Sequence, residues 1–291
     1  MPILSTYRGD FETLLEGPED GPLIVLLHGF PELNVSWRHQ VPELVAAGYR
    51  VLAPNQRGYE GSVSGGSYAT ADLAADVVAM LDTLGVDKAV IVGHDWGGGV
   101  AWTVAHLHPD RVERLIALNC PPPTVLSHEV MTNPMQMLKS WYMFFFQVPR
   151  LPEMFVARGM PWMLRGGSYN REVWTEETLE PYARAFATAQ DARGPINWYR
   201  AALRHPARNL RPITAPVLII WGTQDQFLSM AMISPHSLRR ALAYGNEADV
   251  VLIEEAGHFV QNEAPEQVTA AMLLWLGDAP AVARSARQDQ S

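Results

Sequence analysis

Residues 89–100 read AVIVGHDWGGGV, and this stretch decides the fold. A short apolar run passes through a glycine-flanked aspartate into a helical pattern, which predicts a strand, a sharp turn and a helix. Gly93 and Gly97 suit a turn so tight that a Cβ on either side of Asp95 would clash. The pattern is that of a nucleophile elbow in which aspartate replaces the usual serine.

Asp95 brings its own chemistry to such a turn. A carboxylate is already ionised near neutral pH, and the N-terminus of the following helix favours that negative charge. Asp95 can therefore attack an electrophile without a base to deprotonate it. An aspartate at this position can also simply cap a helix, and residues 89–100 alone leave both interpretations open.

The composition narrows the classes of partner. The 291 residues include 31 acidic and 22 basic side chains, a formal net charge of −9. Without a basic excess there is no field to attract nucleic acid or a membrane surface, so we expect neither as a partner. The N-terminus lacks the apolar segment of a signal peptide, and no apolar run approaches the roughly 20 residues of a membrane span. These features predict a soluble, cytoplasmic protein.

The single cysteine limits the covalent links and metal sites that the chain can form, and the apolar runs predict its fold class. The single cysteine, Cys120, excludes an internal disulfide and a multi-thiolate metal site. Strand-length apolar runs that do not alternate are typical of strands buried on both faces of a mostly parallel sheet. Helical patterns separate these runs, so we predict an α/β fold with a mostly parallel central sheet flanked by helices. The runs are 23–27, 49–53, 89–92, 115–118, 217–220 and 250–253.

Residues 121–206 interrupt the alternation of strands and helices. This segment has no strand-like run and is rich in Met, Trp, Phe and Tyr. We predict that 121–206 form a helical lid, or cap, domain, and that 1–120 and 207–291 form the core domain. The insertion would cover the carboxyl ends of the strands, where open α/β sheets bind ligands. Most of its apolar side chains are expected to form the lid's own core, and their abundance also suggests a hydrophobic substrate.

Two further polar residues follow predicted strands at positions suited to catalysis. Asp225 follows the run 217–220, and His258 follows the run 250–253. Nucleophile, acid and histidine therefore occur in the order Asp95, Asp225, His258, and the amides of Phe30 and Trp96 are expected to form an oxyanion hole. The order of residues leaves two other acids open as the triad acid, Glu247 and Asp249. The other position that this fold offers for the acid holds Asn119.

These residues, with several motifs around them, resemble the epoxide hydrolases of the α/β-hydrolase fold along nearly the whole chain. The lid motif is the most specific of them, because Asn197-Trp198-Tyr199-Arg200 is similar to the family segment whose tyrosine binds the epoxide oxygen. Tyr142 matches the position of a second lid tyrosine. The other matching motifs are His28-Gly29-Phe30-Pro31-Glu32, Trp37-Arg38-His39-Gln40, Gly93-His94-Asp95-Trp96-Gly97-Gly98, Trp221-Gly222 before Asp225, and Gly257-His258-Phe259.

The resemblance implies an α/β-hydrolase fold with the helical lid inserted after the sixth strand. It also implies an epoxide hydrolase that converts a small hydrophobic epoxide and water to a vicinal diol, with no metal or cofactor. Asp95 would form an alkyl-enzyme ester, and water activated by His258 with Asp225 would hydrolyse it. Tyr142 and Tyr199 would protonate the ring oxygen. Trp96, Phe30, Trp141 and Trp198 would contact the substrate, and the protein would be a monomer or a homodimer.

Two other functions remain open at this point. Haloalkane and haloacid dehalogenases use the same aspartate nucleophile, but a departing halide needs no proton and would leave a pair of lid tyrosines without a role. A protein of this fold that binds a ligand without catalysis is the second alternative.

Overall fold

The computed structural model describes residues 2–206, 208 and 210–277. The last part of the predicted core domain, residues 278–291, lies outside the described residues. Within them, no helix combines the length and the apolar character needed to cross a membrane.

An eight-stranded sheet forms the centre of the molecule, in the order β1-β2-β4-β3-β5-β6-β7-β8. β1 and β2 pair antiparallel, β2 joins β4 antiparallel, and all the other pairs are parallel. The predicted mostly parallel sheet is therefore confirmed. The strands are β1 Ile3–Thr6, β2 Gly9–Glu16, β3 Leu23–Leu27, β4 Arg50–Pro54, β5 Ala89–His94, β6 Val112–Leu118, β7 Val217–Gly222 and β8 Ala248–Ile253.

Three strands differ from the sequence prediction. β1 and β2 were not predicted, because they are partly exposed and carry no continuous apolar run. β8 was predicted from its apolar run as a strand buried on both faces. It is instead the last strand of the sheet, and Val250 and Leu252 are exposed.

Helices cover both faces of the sheet. Alternate residues of β3 enter two separate apolar clusters: Val25 packs with residues of α2 and α3, whereas Ile24 packs with residues of α1 and α12. Residues 123–204, between β6 and β7, form the six α-helices α4 to α9. The helices are α1 Gln40–Ala46, α2 Thr70–Thr83, α3 Asp95–Leu107, α4 Pro123–Thr132, α5 Pro134–Lys139, α6 Trp141–Phe145, α7 Leu151–Gly167, α8 Glu176–Ala185, α9 Arg193–Arg204, α10 Pro235–Leu238, α11 Val260–Glu263 and α12 Pro265–Leu276.

The parallel strands fix where polar loops meet. β3, β5 and β7 run in the same direction, so the loops that follow them converge at one edge of the sheet. The segments that carry Phe30, Asp95 and Asp225 all begin at this edge.

Candidate active site

Asp95 occupies a strained turn between β5 and α3. Its φ is 49°, in the left-handed region that a side chain other than glycine rarely adopts. A Cβ on Gly93 would strike the carbonyl of Gly97, and a Cβ on Gly97 would strike the carbonyl of Leu27. The glycines therefore let β5, α3 and β3 approach closely enough to present Asp95 at the end of the sheet.

The carboxylate of Asp95 makes two different contacts. Oδ1 accepts a hydrogen bond from the Phe30 amide at 2.9 Å, and Oδ2 lies 3.4 Å from Nε2 of His258. Burial by itself raises the pKa of Asp95, but the hydrogen bond and charge of His258 outweigh it and hold the pKa below its ordinary value. Asp95 is therefore ionised and partly shielded from water, with its side chain 16% exposed.

His258 lies between two carboxylates. Its Nδ1 is 2.8 Å from Oδ2 of Asp225, on the side of the ring opposite Asp95. Burial opposes a charged imidazole, yet the charge and hydrogen bond of Asp225, together with those of Asp95, raise the pKa of His258 well above its ordinary value. In the free protein, His258 is thus an imidazolium held by both acids.

Asp225 is held in place by donors on both of its oxygens. Oδ1 accepts from the amides of Phe227 and Leu228 at 2.7 and 3.0 Å. Oδ2 accepts from Nδ2 of Asn119 at 2.7 Å as well as facing His258. Burial raises the pKa of Asp225, but His258 and these donors hold it below its ordinary value.

The two other candidate acids lie elsewhere. Glu247 is exposed, and Asp249 accepts a hydrogen bond from the indole of Trp275 at the surface. The structure therefore brings Asp225, and neither of these acids, to His258. Asn119, at the other position open to an acid in this fold, supports Asp225 instead of replacing it.

Glu32 and His94 form a buried network that the sequence reasoning did not assign to the site. Nδ1 of His94 lies 2.6 Å from Oε2 of Glu32, and Nε2 lies 2.8 Å from the carbonyl oxygen of His258. A carbonyl only accepts, so Nε2 carries a proton. Glu32 also accepts from the side chains of Gln261 and Asn262. Two sequence features point to these residues: Glu32 directly follows the His28–Pro31 motif, and His94 precedes Asp95.

Aromatic rings form a wall around Asp95 and His258. The ring of Trp96 contacts Tyr199 at a centroid distance of 4.9 Å, and Tyr199 faces Tyr142 at 6.0 Å. Tyr142 in turn contacts Phe227 at 5.8 Å, and Phe227 contacts His258 at 5.0 Å. Tyr142 and Tyr199, from α6 and α9, are thus neighbours above the triad, and Phe227 is a member of the wall that the sequence did not indicate.

Both tyrosines are weak acids in this setting. Burial raises the pKa of Tyr142 and of Tyr199 above the ordinary value, and the negative charge of Asp95 raises both further. Both phenols therefore keep their protons across the physiological range and can donate hydrogen bonds.

The remaining predicted site residues divide into two groups. Phe30 contacts Tyr199, ring to ring, and Trp198 contacts Trp96, so both side chains belong to the wall. Trp141 is not part of the wall, because it is 59% exposed and its ring contacts Phe145. Contact between Trp141 and substrate stays a prediction, which this exposure does not favour.

One of the two amides predicted for the oxyanion hole contacts Asp95. The amide of Phe30 bonds to Asp95, while the described residues include no hydrogen bond from the Trp96 amide to that carboxylate. The Trp96 amide nevertheless lies at the N-terminal end of α3, directly after Asp95. No cluster of three or more His, Cys, Asp or Glu side chains suited to a metal ion occurs in the part of the chain that the structure describes.

Comparison with known proteins identifies the family of this chain. The model of the alpha/beta hydrolase fold matches residues 22–265. The chain belongs to the α/β-hydrolase family. Within that family it groups with epoxide hydrolases: it is 33% identical to epoxide hydrolase 4 of Mus musculus over 91% of this chain and 75% of that protein.

Two further relatives match this chain over nearly their full length. The α/β-hydrolase superfamily protein YfhM of Bacillus subtilis is 38% identical over 89% of this chain and 92% of its own. The crystal structure of epoxide hydrolase A from Mycobacterium thermoresistibile is 31% identical and superposes with a TM-score of 0.80, covering 94% of this chain and 97% of its own. The chain is thus an α/β-hydrolase of the epoxide hydrolase group.

Proposed function

We propose that this α/β-hydrolase opens a hydrophobic epoxide and releases a vicinal diol through an ester on Asp95. The observation that carries this proposal is the pair Tyr142 and Tyr199, which face each other beside Asp95 and His258. In this assignment residues 121–206 are the lid, since α6 and α9 supply the two tyrosines.

In the first step, Oδ2 of Asp95 attacks an epoxide carbon. We assign this role to Oδ2, which faces His258 at 3.4 Å, because Oδ1 is bound to the Phe30 amide. The bond between that carbon and the ring oxygen breaks, and the oxygen leaves with its electron pair. An alkoxide is strongly basic, so ring opening requires a positioned acid. A phenol proton from Tyr142 or Tyr199 meets this need.

In the second step, His258 changes from an imidazolium to a base. Esterification removes the charge of Asp95, one of the two carboxylates that raise the pKa of His258. The pKa of His258 therefore falls, and the ring can pass its proton to the phenolate left by ring opening and then accept one from water. The hydroxide formed attacks Cγ of Asp95, and negative charge develops on Oδ1, facing the Phe30 amide. The bond between Cγ and Oδ2 then breaks, Oδ2 leaves as the new hydroxyl of the diol after taking a proton through His258, and the carboxylate of Asp95 is restored.

A dehalogenase is the second candidate for the same nucleophile. A departing halide accepts no proton, so two protonated phenols beside Asp95 would have no function in that reaction. The ring of Trp96, which could donate to a halide, lies against the phenol of Tyr199. These contacts favour an epoxide.

A substrate panel tests the proposal. The purified protein is incubated with styrene-type, aliphatic and fatty-acid epoxides, with haloalkanes and with fluoroacetate, and diol and halide are measured. Diol from one or more epoxides is expected. Release of halide with no diol identifies a dehalogenase, and saturable binding without any turnover identifies a binding protein.

Isotopic labelling tests the covalent route. In a single turnover with excess enzyme in ¹⁸O-water, the new hydroxyl should carry ordinary oxygen, because it comes from Asp95. In multiple turnovers it should carry ¹⁸O. Label in the first turnover would mean that water attacks the epoxide directly.

A further inference from the structure

The outer face of α7 is apolar and cationic. Its buried side is formed by Val156, Met160 and Leu164, at helical spacing. The opposite side of the helix follows the same spacing and is exposed to solvent. Its exposed residues are Leu151, Met154, Phe155, Arg158, Trp162 and Arg165, and Trp162 is 68% exposed.

This face continues onto α6 through a chain of contacting aromatic rings. Trp162 contacts Phe155 at a centroid distance of 6.3 Å, and Phe155 contacts Phe145 at 5.9 Å. Phe145 contacts Trp141, which is also exposed, at 6.0 Å. We call the surface formed by Trp141, Phe145, Leu151, Met154, Phe155 and Trp162 the lid face. Isolated apolar side chains are normal on a protein surface, but a connected set of this size marks an interaction site.

The segment that carries the lid face is rich in basic residues. Between residues 131 and 167 the cationic side chains are Lys139, Arg150, Arg158 and Arg165. Glu153 is the one acidic residue in that range, and it is buried in an ion pair with Arg200 at 2.7 Å. In a chain of net charge −9, this segment thus carries four basic side chains and one acid that is already paired.

We propose that the lid face docks on an anionic lipid surface. Tryptophans among basic side chains on one side of a helix are typical of segments that lie in the membrane interface, where rings enter the headgroup region and cations meet lipid phosphates. A second copy of the chain fits less well. A symmetric contact through this face would place the basic side chains of both copies in one interface, where they repel each other.

Docking on a membrane differs from the expectation, drawn from composition, that the protein has no membrane partner. The net charge predicts no attraction to membranes, but the net charge averages over the whole surface, whereas docking depends on the local charge. For a hydrophobic epoxide, which partitions into lipid, the lid face would bring the active site to the substrate. That consequence rests on the proposed function, while docking itself does not.

Vesicle sedimentation tests the proposal without any substrate. The full chain is mixed with vesicles of phosphatidylcholine alone and with vesicles that contain phosphatidylglycerol as well. We expect binding to the anionic vesicles and weaker binding as salt is added, because salt screens the attraction. Arg158→Glu should weaken binding about fivefold to thirtyfold, since one basic residue near an anionic surface strengthens binding about fivefold and the substitution also adds a negative charge. Trp162→Ser should weaken it about tenfold.

Matched variants on other surfaces serve as controls. Lys88→Glu reverses an exposed charge just before β5, at the end of the strand away from Asp95. Leu274→Ser removes an exposed apolar side chain from α12. Both should bind like the unaltered protein. All four variants should keep their circular dichroism spectra and their turnover of a water-soluble epoxide.

Three results would overturn the proposal. One is the absence of binding to anionic vesicles. Another is equal weakening by the control substitutions. The third is a dimer that forms without vesicles and is lost in Trp162→Ser, which would assign the lid face to a second copy. Because binding is measured without turnover, an inactive but vesicle-bound protein would contradict the proposed function and leave docking intact.

Discussion

His94 donates from Nε2 to the carbonyl oxygen of His258 at 2.8 Å. The residue before Asp95 thereby holds the loop of His258, and Glu32 holds His94 in turn. A displacement of about 1 Å at a reacting group can cost roughly a hundredfold in rate, so this contact is expected to act on catalysis.

Glu32→Gln should slow hydrolysis of the ester more than its formation. The substitution keeps the shape of the side chain but removes the carboxylate that faces His94 and places an amide against Gln261 and Asn262. We expect kcat to fall about tenfold to a hundredfold, with alkyl-enzyme accumulating at steady state. Rapid-quench kinetics with mass spectrometry measures both steps. An equal loss in both, or a marked loss of thermal stability, would indicate a structural role instead.

His258→Gln should form the ester and fail to hydrolyse it. Glutamine cannot take a proton from water, whereas Asp95 needs no base for its attack. Mass spectrometry of the variant after incubation with an epoxide should find the substrate mass added to the peptide that contains Asp95. An unmodified peptide with bound substrate would exclude the ester mechanism, and Asp95→Asn provides the control without a nucleophile.

Tyr142→Phe and Tyr199→Phe should each slow ring opening, and the double variant should lose it. A positioned acid contributes roughly a hundredfold or more, and one phenol can partly replace the other. The first-order rate of alkylation, measured by stopped flow, reports the effect. Tyr244→Phe, at an exposed surface tyrosine, is the matched control. Normal alkylation in the double variant would remove both phenols from the mechanism.

Asp225→Asn should lower activity by roughly a hundredfold or more, and a second change at Asn119 should restore part of it. Oδ2 of Asp225 lies 2.7 Å from Nδ2 of Asn119, so Asn119→Asp places a carboxylate close to His258. In the double variant we expect at least a tenfold recovery in kcat. Asn119→Asp alone sets two carboxylates side by side and should reduce activity, because one of them will take up a proton. No recovery would mean that residue 119 cannot reach His258.

The stability of the protein should fall as the pH falls from about 6.5 towards 4. Burial lowers the pKa of His28 from 6.5 to about 4, and its Nε2 accepts a hydrogen bond from the Gln56 amide. Between these two values the unfolded chain binds a proton at His28 that the folded chain does not, so protonation favours unfolding. The loss should reach about 3 kcal/mol near pH 4.

Urea denaturation at several pH values measures this dependence. His28→Gln supplies an acceptor that does not titrate, so it should flatten the slope between pH 6.5 and 4. His236→Gln, at an exposed histidine, should leave the slope unchanged. An unchanged slope in His28→Gln would assign the acid sensitivity to another group.

Local sequence determined the elements with strong local causes. The glycines around Asp95 predict the elbow because only small residues allow β5, α3 and β3 to meet. Continuous apolar runs predict the buried parallel strands because both faces of the sheet are covered. The order Asp95, Asp225, His258 indicates a shared site because the loops after parallel strands converge at one edge.

Tertiary structure decided what depends on distant segments. β1 and β2 have no strong apolar pattern and become strands by pairing at the edge of the sheet. Asn119 supports Asp225, and Glu32 reaches the loop of His258 through His94, by contacts between residues more than 60 positions apart in the chain. The direction of a helical side chain also depends on what the helix packs against. Packing of α6 turns Tyr142 towards Tyr199 and leaves Trp141 outside, on a surface whose charge differs from that of the whole chain.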